Sequence, residues 1–494
     1  MARTFRLIRA GGYPPGHRPS ASRLDEPIVE FAQEGHHRPD DCAYSVVIGN
    51  NGSGKSRLLG NIAGEFVRFQ RGFSGRGGRS RRIRVLDYVV DGRPSVDALE
   101  DVWAPRPSVD LFPGLPSRLI AVALTTVDKF PLEPSGSSDD MLERNLLSDD
   151  DGPQFYCYVG MRDRTNRASI SALIYRAIDG LDRARSERDN VRLSQVFDLL
   201  GYAPEIQVRL GLGITLDVAE FARGERDLED VSDKDTRLLT RLRTVSRSKR
   251  YSSDWLRRAL YPFVSATKAK TISYSITFDG AVRSSPFDKE ALRLLRRLGA
   301  LNLKSVIVRR HDGVEHDLRD ASSGQITMLT VFLSVAANLQ DGSLVLIDEP
   351  ETSLHPDWQS RYINLMREVF SNFSGCHFVF STHSPLIVAD MPEGSSIFSM
   401  DRREPVSSAE LIGRSPDYVM ARAFDVVEPS NLYLRDVLAE ALRLVGERQI
   451  GSEAFERQLA ELVRLSDTMD DGEQVKRIVK DLQNARAELS PDGD

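Results

Sequence analysis

A chain of 494 residues, 40% hydrophobic and 28% charged, has the composition of an ordinary globular protein and the length for more than one hydrophobic core. No apolar run approaches the ~20 residues that span a bilayer, no apolar signal-peptide core follows the first six residues, and the three cysteines, Cys42, Cys157 and Cys376, lack C-x-x-C spacing. These features argue against a membrane-spanning chain, an exported one, a disulfide framework and a zinc hook; the cytoplasm is the expected compartment. A net charge of −6 leaves no whole-chain basicity, so any nucleic-acid contact has to be local.

Residues 4–9 and 27–31 read as short strands on either side of a turn-rich loop at 11–18. The apolar run Val46-Val47-Ile48 then enters Gly49-Asn50-Asn51-Gly52-Ser53-Gly54-Lys55-Ser56, which fits G-x-x-x-x-G-K-S with a strand before it and a helix after it. Glycines let successive N–H groups point inward and cradle phosphate oxygens, and the positive end of the following helix dipole adds to the same spot. Lys55 is expected to reach the β- and γ-phosphates of ATP and Ser56 to hold Mg²⁺. Asn50, Asn51 and Ser53 of the loop and Arg57 in the first helical turn belong to the same nucleotide site. The helix runs from Lys55 to about Gln70 on the spacing of Leu58, Leu59, Ile62, Phe66 and Val67.

A glycine- and arginine-rich loop at 71–82 follows, then apolar strands at 82–90 and 118–126 separated by a proline-rich stretch at 104–116. Residues 131–153, rich in Ser, Asp and Pro, read as a mobile connection. From Phe155 the organisation changes. A short aromatic strand (155–160) precedes one helix carrying Ile170, Leu173, Ile174, Ala177, Ile178 and Leu181, and a second at 191–200. Residues 205–214 and 271–278 alternate like strands. Between them Arg237–Lys270 carries ten basic residues and one acidic, Asp254, interleaved with Tyr251, Trp255, Tyr261 and Phe263. Two readings stand for it: solvated amphipathic helices with aromatics in the core, or a surface for phosphate backbones or a partner.

After a helix at 288–298 and a hairpin at 304–309 and 314–318, Ala321-Ser322-Ser323-Gly324-Gln325 opens a helix to about Leu339. Its N-terminus is a second phosphate-binding end. One chain hardly needs two such ends for one γ-phosphate, so the second is expected to serve the nucleotide of another copy, with ATP as the glue of a head-to-tail homodimer. Leu344-Val345-Leu346-Ile347 is a strand running into Asp348 and Glu349: Asp348 to orient the hydration shell of Mg²⁺, Glu349 to act as general base on the attacking water. A helix at 358–370 and a strand at 377–380 lead to Ser381-Thr382-His383-Ser384-Pro385, where His383 can contact the γ-phosphate. Two or three amphipathic helices fill the remainder.

Together these residues resemble the ATP-binding cassette superfamily: Walker A (Gly49 to Ser56), the signature (Ala321 to Gln325, with Ser322, Gly324 and Gln325 as its nucleotide contacts), Walker B with its glutamate (Leu344 to Glu349), the D-loop (Thr352 to His355) and the switch histidine His383. The form Asp-Glu-Pro-Glu-x-x-Leu-His-Pro resembles the branch containing SMC, RecF and OLD-type ATPases. The resemblance implies an α/β fold, an ABC-ATPase head with a P-loop mixed sheet and an antiparallel β-subdomain, interrupted by a helical and strand insert and extended by C-terminal helices. Lys55 and Ser322 stand more than half the chain apart, room for an insert but without the heptads of a coiled-coil arm. Boundaries are expected at 1–154, 155–300, 301–400 and 401–494. The glutamine loop of the family has no counterpart after residue 126; Asp128 as a metal-sensing substitute, or Gln154, is the expected stand-in.

The resemblance implies an ATPase acting as sensor or scaffold of an anti-phage defence system, paired with a separate nuclease or toxin that docks on 400–494. The alternative is a DNA-binding repair ATPase gripping backbone phosphates through Arg237–Lys270. A transporter subunit would need a short interval between Walker A and signature, which this chain does not have. Asp149-Asp150-Asp151 and Asp470-Asp471 read as solvated loop residues.

Overall fold

The computed structural model describes residues 3–12, 27–32, 41–73, 83–95, 114–125, 127–132, 155–162, 170–183, 192–229, 236–247, 251–265, 271–278, 288–427, 431–466 and 474–489. Most of the sequence-expected connections at 11–18, 71–82, 104–116 and 131–153 lie outside these residues, as do Gln154, Asp149-Asp150-Asp151 and Asp470-Asp471.

The strands in chain order are β1 (Phe5–Gly11), β2 (Ile28–Glu30), β3 (Ala43–Ile48), β4 (Val85–Val90), β5 (Arg93–Pro94), β6 (Leu119–Ala123), β7 (Tyr156–Gly160), β8 (Tyr202–Leu212), β9 (Thr271–Thr277), β10 (Leu301–Arg310), β11 (Glu315–Asp317), β12 (Leu344–Asp348), β13 (His377–Thr382), β14 (Ser396–Ser399) and β15 (Glu404–Val406). The helices are α1 (Lys55–Phe73), α2 (Ile170–Arg183), α3 (Ser194–Leu199), α4 (Leu216–Arg223), α5 (Arg237–Arg247), α6 (Ser253–Ser265), α7 (Lys289–Arg297), α8 (Ser323–Asn338), α9 (Pro356–Gln359), α10 (Tyr362–Val369), α11 (Pro385–Ala389), α12 (Ser408–Leu411), α13 (Pro416–Ala423), α14 (Leu432–Gly446), α15 (Glu453–Ser466) and α16 (Gln474–Leu489).

Seven strands form the central sheet in the order β15-β14-β3-β13-β12-β6-β7. All neighbours are parallel except β15, which is antiparallel to β14. Strands buried on both faces read as continuous apolar runs, and β6 and β12 are buried along their whole length. Alternate residues face two cores. Val47, Leu119, Leu346 and Val379 meet α1 and the small sheet β2-β1-β4-β5, with Phe5, Phe66 and Tyr88 clustered at the seam. Val46, Ile120, Val345 and Phe380 meet the opposite layer, where α8 is buried almost all round. The close pairing of α2 and α8 needs Gly180, because a Cβ there would stand 2.9 Å from Ala337 Cβ.

The insert has its own antiparallel sheet, β11-β10-β8-β9. That sheet moves the expected boundaries at both ends. The strand read as the first of the insert, β7, pairs in parallel with β6 and closes the central sheet, whereas β10 and β11, read as part of the second core half, pair with β8 and belong with the insert. Sequence patterns gave strand character but not partners. The single helix expected at 358–370 is two, α9 and α10, separated at Ser360 and Arg361; the carboxylate of Asp390 accepts Ile363 N–H at 2.7 Å and Asn364 N–H at 3.1 Å, starting a new helix there.

In the basic segment α5 buries Leu238, Leu239, Leu242 and Val245, and α6 buries Leu256, Leu260, Phe263 and Val264. Tyr251 stacks on Trp255 at 4.5 Å, while Tyr261 is exposed. Phe263 is thus core, and Arg237, Arg247 and Arg258 lie on the solvent side. The helices α14, α15 and α16 close around a separate core of Leu434, Val437, Phe455, Leu462 and Leu482. Among the described residues no helix is long and apolar enough to cross a membrane.

Candidate active site

The central position of β3 puts the phosphate loop at the C-terminal edge of the sheet, beside the ends of β12 and β13. Gly49, Gly52 and Gly54 have φ of 153°, 87° and 103°, backbone that only glycine adopts freely. Gly49 is needed for space as well: a Cβ would stand 2.8 Å from Ser53 Oγ. Lys55 is buried and folds back over the loop, its Nζ donating to Gly49 O at 2.7 Å and Asn50 O at 3.1 Å. Burial lowers the Lys55 pKa, and the surrounding carboxylates Glu349, Glu351, Asp348 and Asp401 oppose that shift. Asn51, Gly52 and Arg57 are exposed at the rim, and Ser53 Oγ is buried without a hydrogen-bond partner among the described residues.

At the end of β12, Asp348 is buried, with hydroxyls of Ser381 and Ser56 hydrogen-bonded to its carboxylate. Desolvation nevertheless raises its pKa to about 6, and the nearby charges of Glu349 and Asp128 push the same way. A buried carboxylate joined to a serine hydroxyl is a donor set that fits Mg²⁺. Glu349 sits just beyond in left-handed backbone, φ 50°. For a residue with a Cβ this is a strained conformation of the kind that concentrates at functional positions. Its carboxylate is partly exposed and lies 3.9 Å from His383 Nδ1.

Three further residues are brought here that sequence reasoning did not assign. Glu351, buried, accepts from Thr382 Oγ1 at 2.6 Å and from His383 N–H at 2.8 Å, and its Oε1 is 3.1 Å from His383 Nδ1. Asp401, which follows β14, accepts Asn50 N–H at 2.7 Å and so braces the phosphate loop from the neighbouring strand. Arg162 takes Asp128: its Nε donates to Asp128 Oδ2 at 2.7 Å and its Nη2 pairs with Oδ1, while Tyr158 OH donates to Oδ2 at 2.6 Å. This corrects the expected metal role of Asp128, since both its oxygens are committed to Arg162 and Tyr158 and only its field reaches Asp348.

The signature lies apart from this cluster in sequence and is built differently. Ser322 caps α8 in a capping box: Gln325 N–H donates to Ser322 Oγ at 3.3 Å, and Gln325 Oε1 accepts Ser322 N–H at 3.1 Å. Ser322 and Ser323 are exposed. Gly324 is required by close approach, because a Cβ would stand 2.7 Å from Ser353 O and 2.9 Å from the Trp358 ring. Signature and D-loop are thereby one packed unit. Gln325 Nε2 also reaches Leu200 O in the insert at 3.4 Å.

The glycine-rich loop, the strand-end pair Asp348 and Glu349, His383 after the next strand and a capped serine-glycine helix start on a parallel-centred sheet are the arrangement of an ABC-type P-loop ATPase. Residues 128–389, more than half of the chain, match the family described as "AAA domain, putative AbiEii toxin, Type IV TA system", and the chain belongs to that family. It is also similar to Protein ea59 of Escherichia phage lambda, 27% identical over 136 residues, 27% of this chain; the match spans about a quarter (26%) of that relative's length. Among solved structures, the Smc head domain with an extended coiled coil bound to the C-terminal domain of ScpA, from Pyrococcus furiosus, is 12% identical over 80% of this chain and 93% of that one, with a TM-score of 0.26. The SMC head domain from Thermotoga maritima is 10% identical over 80% and 94%, also with a TM-score of 0.26. Likeness at that level adds no weight to the assignment.

Proposed function

We propose that this chain binds and hydrolyses ATP at a composite site completed by a second copy, and that the resulting dimer is the sensor or scaffold subunit of an anti-phage defence system with a separate effector. The observation that carries the reading is a division of labour: Lys55, Ser56, Asp348, Glu349 and His383 converge at one sheet edge, while Ser322 and Ser323 present a phosphate-binding helix end to solvent.

Within the site, the loop N–H groups from Asn51 to Ser56 and the Lys55 ammonium would hold the β- and γ-phosphates, displacing Nζ from Gly49 O and Asn50 O, while the Asn50 N–H stays on Asp401. Ser56 and Asp348 would hold Mg²⁺, which supplies charge neutralisation on the phosphates when bound. Glu349 takes the proton of the attacking water. His383, fixed by Glu351, faces the same space as Glu349 and contacts the γ-phosphate. Ser322, Gly324 and Gln325 of the second copy close the site, and Gly324 packed on the D-loop carries that closure to Trp358.

The defence role is in keeping with a family description that names a toxin of a type IV toxin–antitoxin system. The separate core of α14 to α16, with Leu432 and Leu442 exposed, offers the effector its docking place. A second reading, a DNA-binding repair ATPase, is favoured by the solvent-facing Arg237, Arg247 and Arg258; it requires affinity for duplex DNA to fall steeply with salt.

The composite site is tested by mixing two inactive variants. Lys55→Ala loses nucleotide binding and Ser322→Arg loses the closing helix end, each abolishing turnover alone. A mixed dimer regains one intact site, so ATPase activity should return on mixing. A mixture as inactive as its components would sink the composite site.

A further inference from the structure

Cys42 immediately precedes β3 and Cys376 immediately precedes β13. These strands are parallel neighbours with Ala43 opposite His377, so one step back the register sets Cys42 beside Cys376. Ala43 N–H donating to Cys376 O at 2.8 Å fixes the two chains at that corner. Neighbouring strands lie about 4.8 Å apart, inside the Cα separation of about 4.4–6.8 Å from which a disulfide forms. The thiols are within hydrogen-bonding reach of one another. Each also donates to a carbonyl, Cys42 to Phe373 O at 3.4 Å and Cys376 to Gln340 O at 3.2 Å.

The two sulfurs are not equivalent. Cys42 is half-buried and Cys376 fully buried, so an oxidant from solution meets Cys42 first. Arg6 of β1 donates to Cys376 O at 3.1 Å and its positive charge acts on both sulfurs. The hydrogen bond from Cys376, with Arg6 behind it, draws Cys42 below the ordinary thiol range against its burial and the charge of Asp341, whereas Cys376 is held well above that range. An accessible sulfur inclined to thiolate beside a sheltered second thiol is the arrangement of an oxidisable pair. Two cysteines that served only as small apolar filler would need neither the cation nor the contact.

We propose that Cys42 and Cys376 are a site of reversible covalent modification, forming an intrachain disulfide with a peroxide as oxidant. The Cys42 thiolate attacks a peroxide oxygen; the O–O bond breaks, and with a proton from solvent one water leaves, giving a sulfenic acid. Cys376 sulfur then attacks Cys42 sulfur, the S–O bond breaks, and the thiol proton leaves with the oxygen as a second water. Two thiols and one hydrogen peroxide thus give one disulfide and two waters. The bond staples β3 to β13 at the end of the strands remote from Gly49 and His383, closing a loop that contains the entire insert. It leaves the nucleotide site open while tying together the two halves of the sheet.

The test treats the purified full chain with hydrogen peroxide, alkylates the remaining thiols after denaturation, and reads intact mass and peptide map. Expected are loss of two hydrogens, a peptide linking 42 to 376, Cys157 as the only alkylated thiol of the three in the chain, and a thermal midpoint that rises on oxidation and returns on reduction with dithiothreitol. Cys157→Ser should staple as the wild type does. Cys376→Ser should instead carry Cys42 on to sulfinic acid with no rise in midpoint; if that variant does not fold, the maps of wild type and Cys157→Ser decide. Three alkylatable thiols after oxidation, sulfinic Cys42 beside a free Cys376 in the wild type, or a link to Cys157 would overturn the proposal.

Discussion

Glu351 holds His383 at two points, taking its backbone N–H at 2.8 Å and lying 3.1 Å from its ring Nδ1. The ring is thereby oriented from behind, leaving Nε2 as its other polar atom. All of these contacts fall on one oxygen, Oε1, while Oε2 is buried without a hydrogen-bond partner among the described residues, so Glu351→Gln can keep that acceptor but removes the negative charge beside the ring. Turnover should fall by about 10- to 100-fold, the scale of losing an orienting partner, with ATP affinity unchanged. Glu351→Ala should in addition lose about 1–3 kcal/mol of stability, because Thr382 and His383 are left with unmet donors. A Glu351→Gln chain with wild-type kcat would reduce Glu351 to a structural brace.

Glu349→Gln removes the base while keeping shape. Hydrolysis should fall by at least ~100-fold, and ATP should then accumulate a dimer visible by light scattering. Wild-type turnover in this variant would take the base role from Glu349.

Gly324→Ala tests the contact between signature and D-loop. The added methyl has to enter 2.7 Å from Ser353 O and 2.9 Å from Trp358, and overpacking of this kind costs about 1–3 kcal/mol. Turnover should drop while binding of ATP to a single chain, measured by calorimetry, stays within about twofold, since ~0.4 kcal/mol is all that twofold represents. Unchanged thermal stability and activity would mean that α8 and the D-loop move independently.

Asp390 gives a pH dependence of known sign. Burial raises its pKa from 3.8 to about 6 despite the N–H groups of Ile363 and Asn364 directed at it. The folded state therefore holds the proton more tightly than the unfolded chain. The associated stability is complete below pH 3.8 and is lost as pH rises to about 6, by at most about 3 kcal/mol. Asp390→Asn, unable to ionise, should flatten the stability profile between pH 4 and 6 relative to wild type; identical profiles would remove Asp390 as the source.

How much of this was legible in the sequence depended on how far apart the partners lie. Gly49 to Ser56 and Leu344 to Glu349 can be read as a phosphate loop and a Walker B strand because such constructions are local, complete within a few residues. Asp401 carries no such signal: its partner Asn50 is 351 positions away, and only the parallel pairing of β14 with β3 joins them. Arg162 was silent for the same reason. Glu351 stood in view inside a recognised motif, but nothing in its spacing says that the next strand, β13, delivers Thr382 and His383 to its carboxylate. Strand alternation likewise identified β7 and β10 as strands without saying which sheet each would join.

The placement of β3 between β13 and β14 bears on how the protein is made. A chain emerging from the ribosome presents Lys55 early, yet neither flanking strand of its loop exists until the insert has been synthesised in full. Truncated translation products that stop inside the insert therefore carry the lysine loop without β13 and β14, the two strands that flank β3 in the sheet.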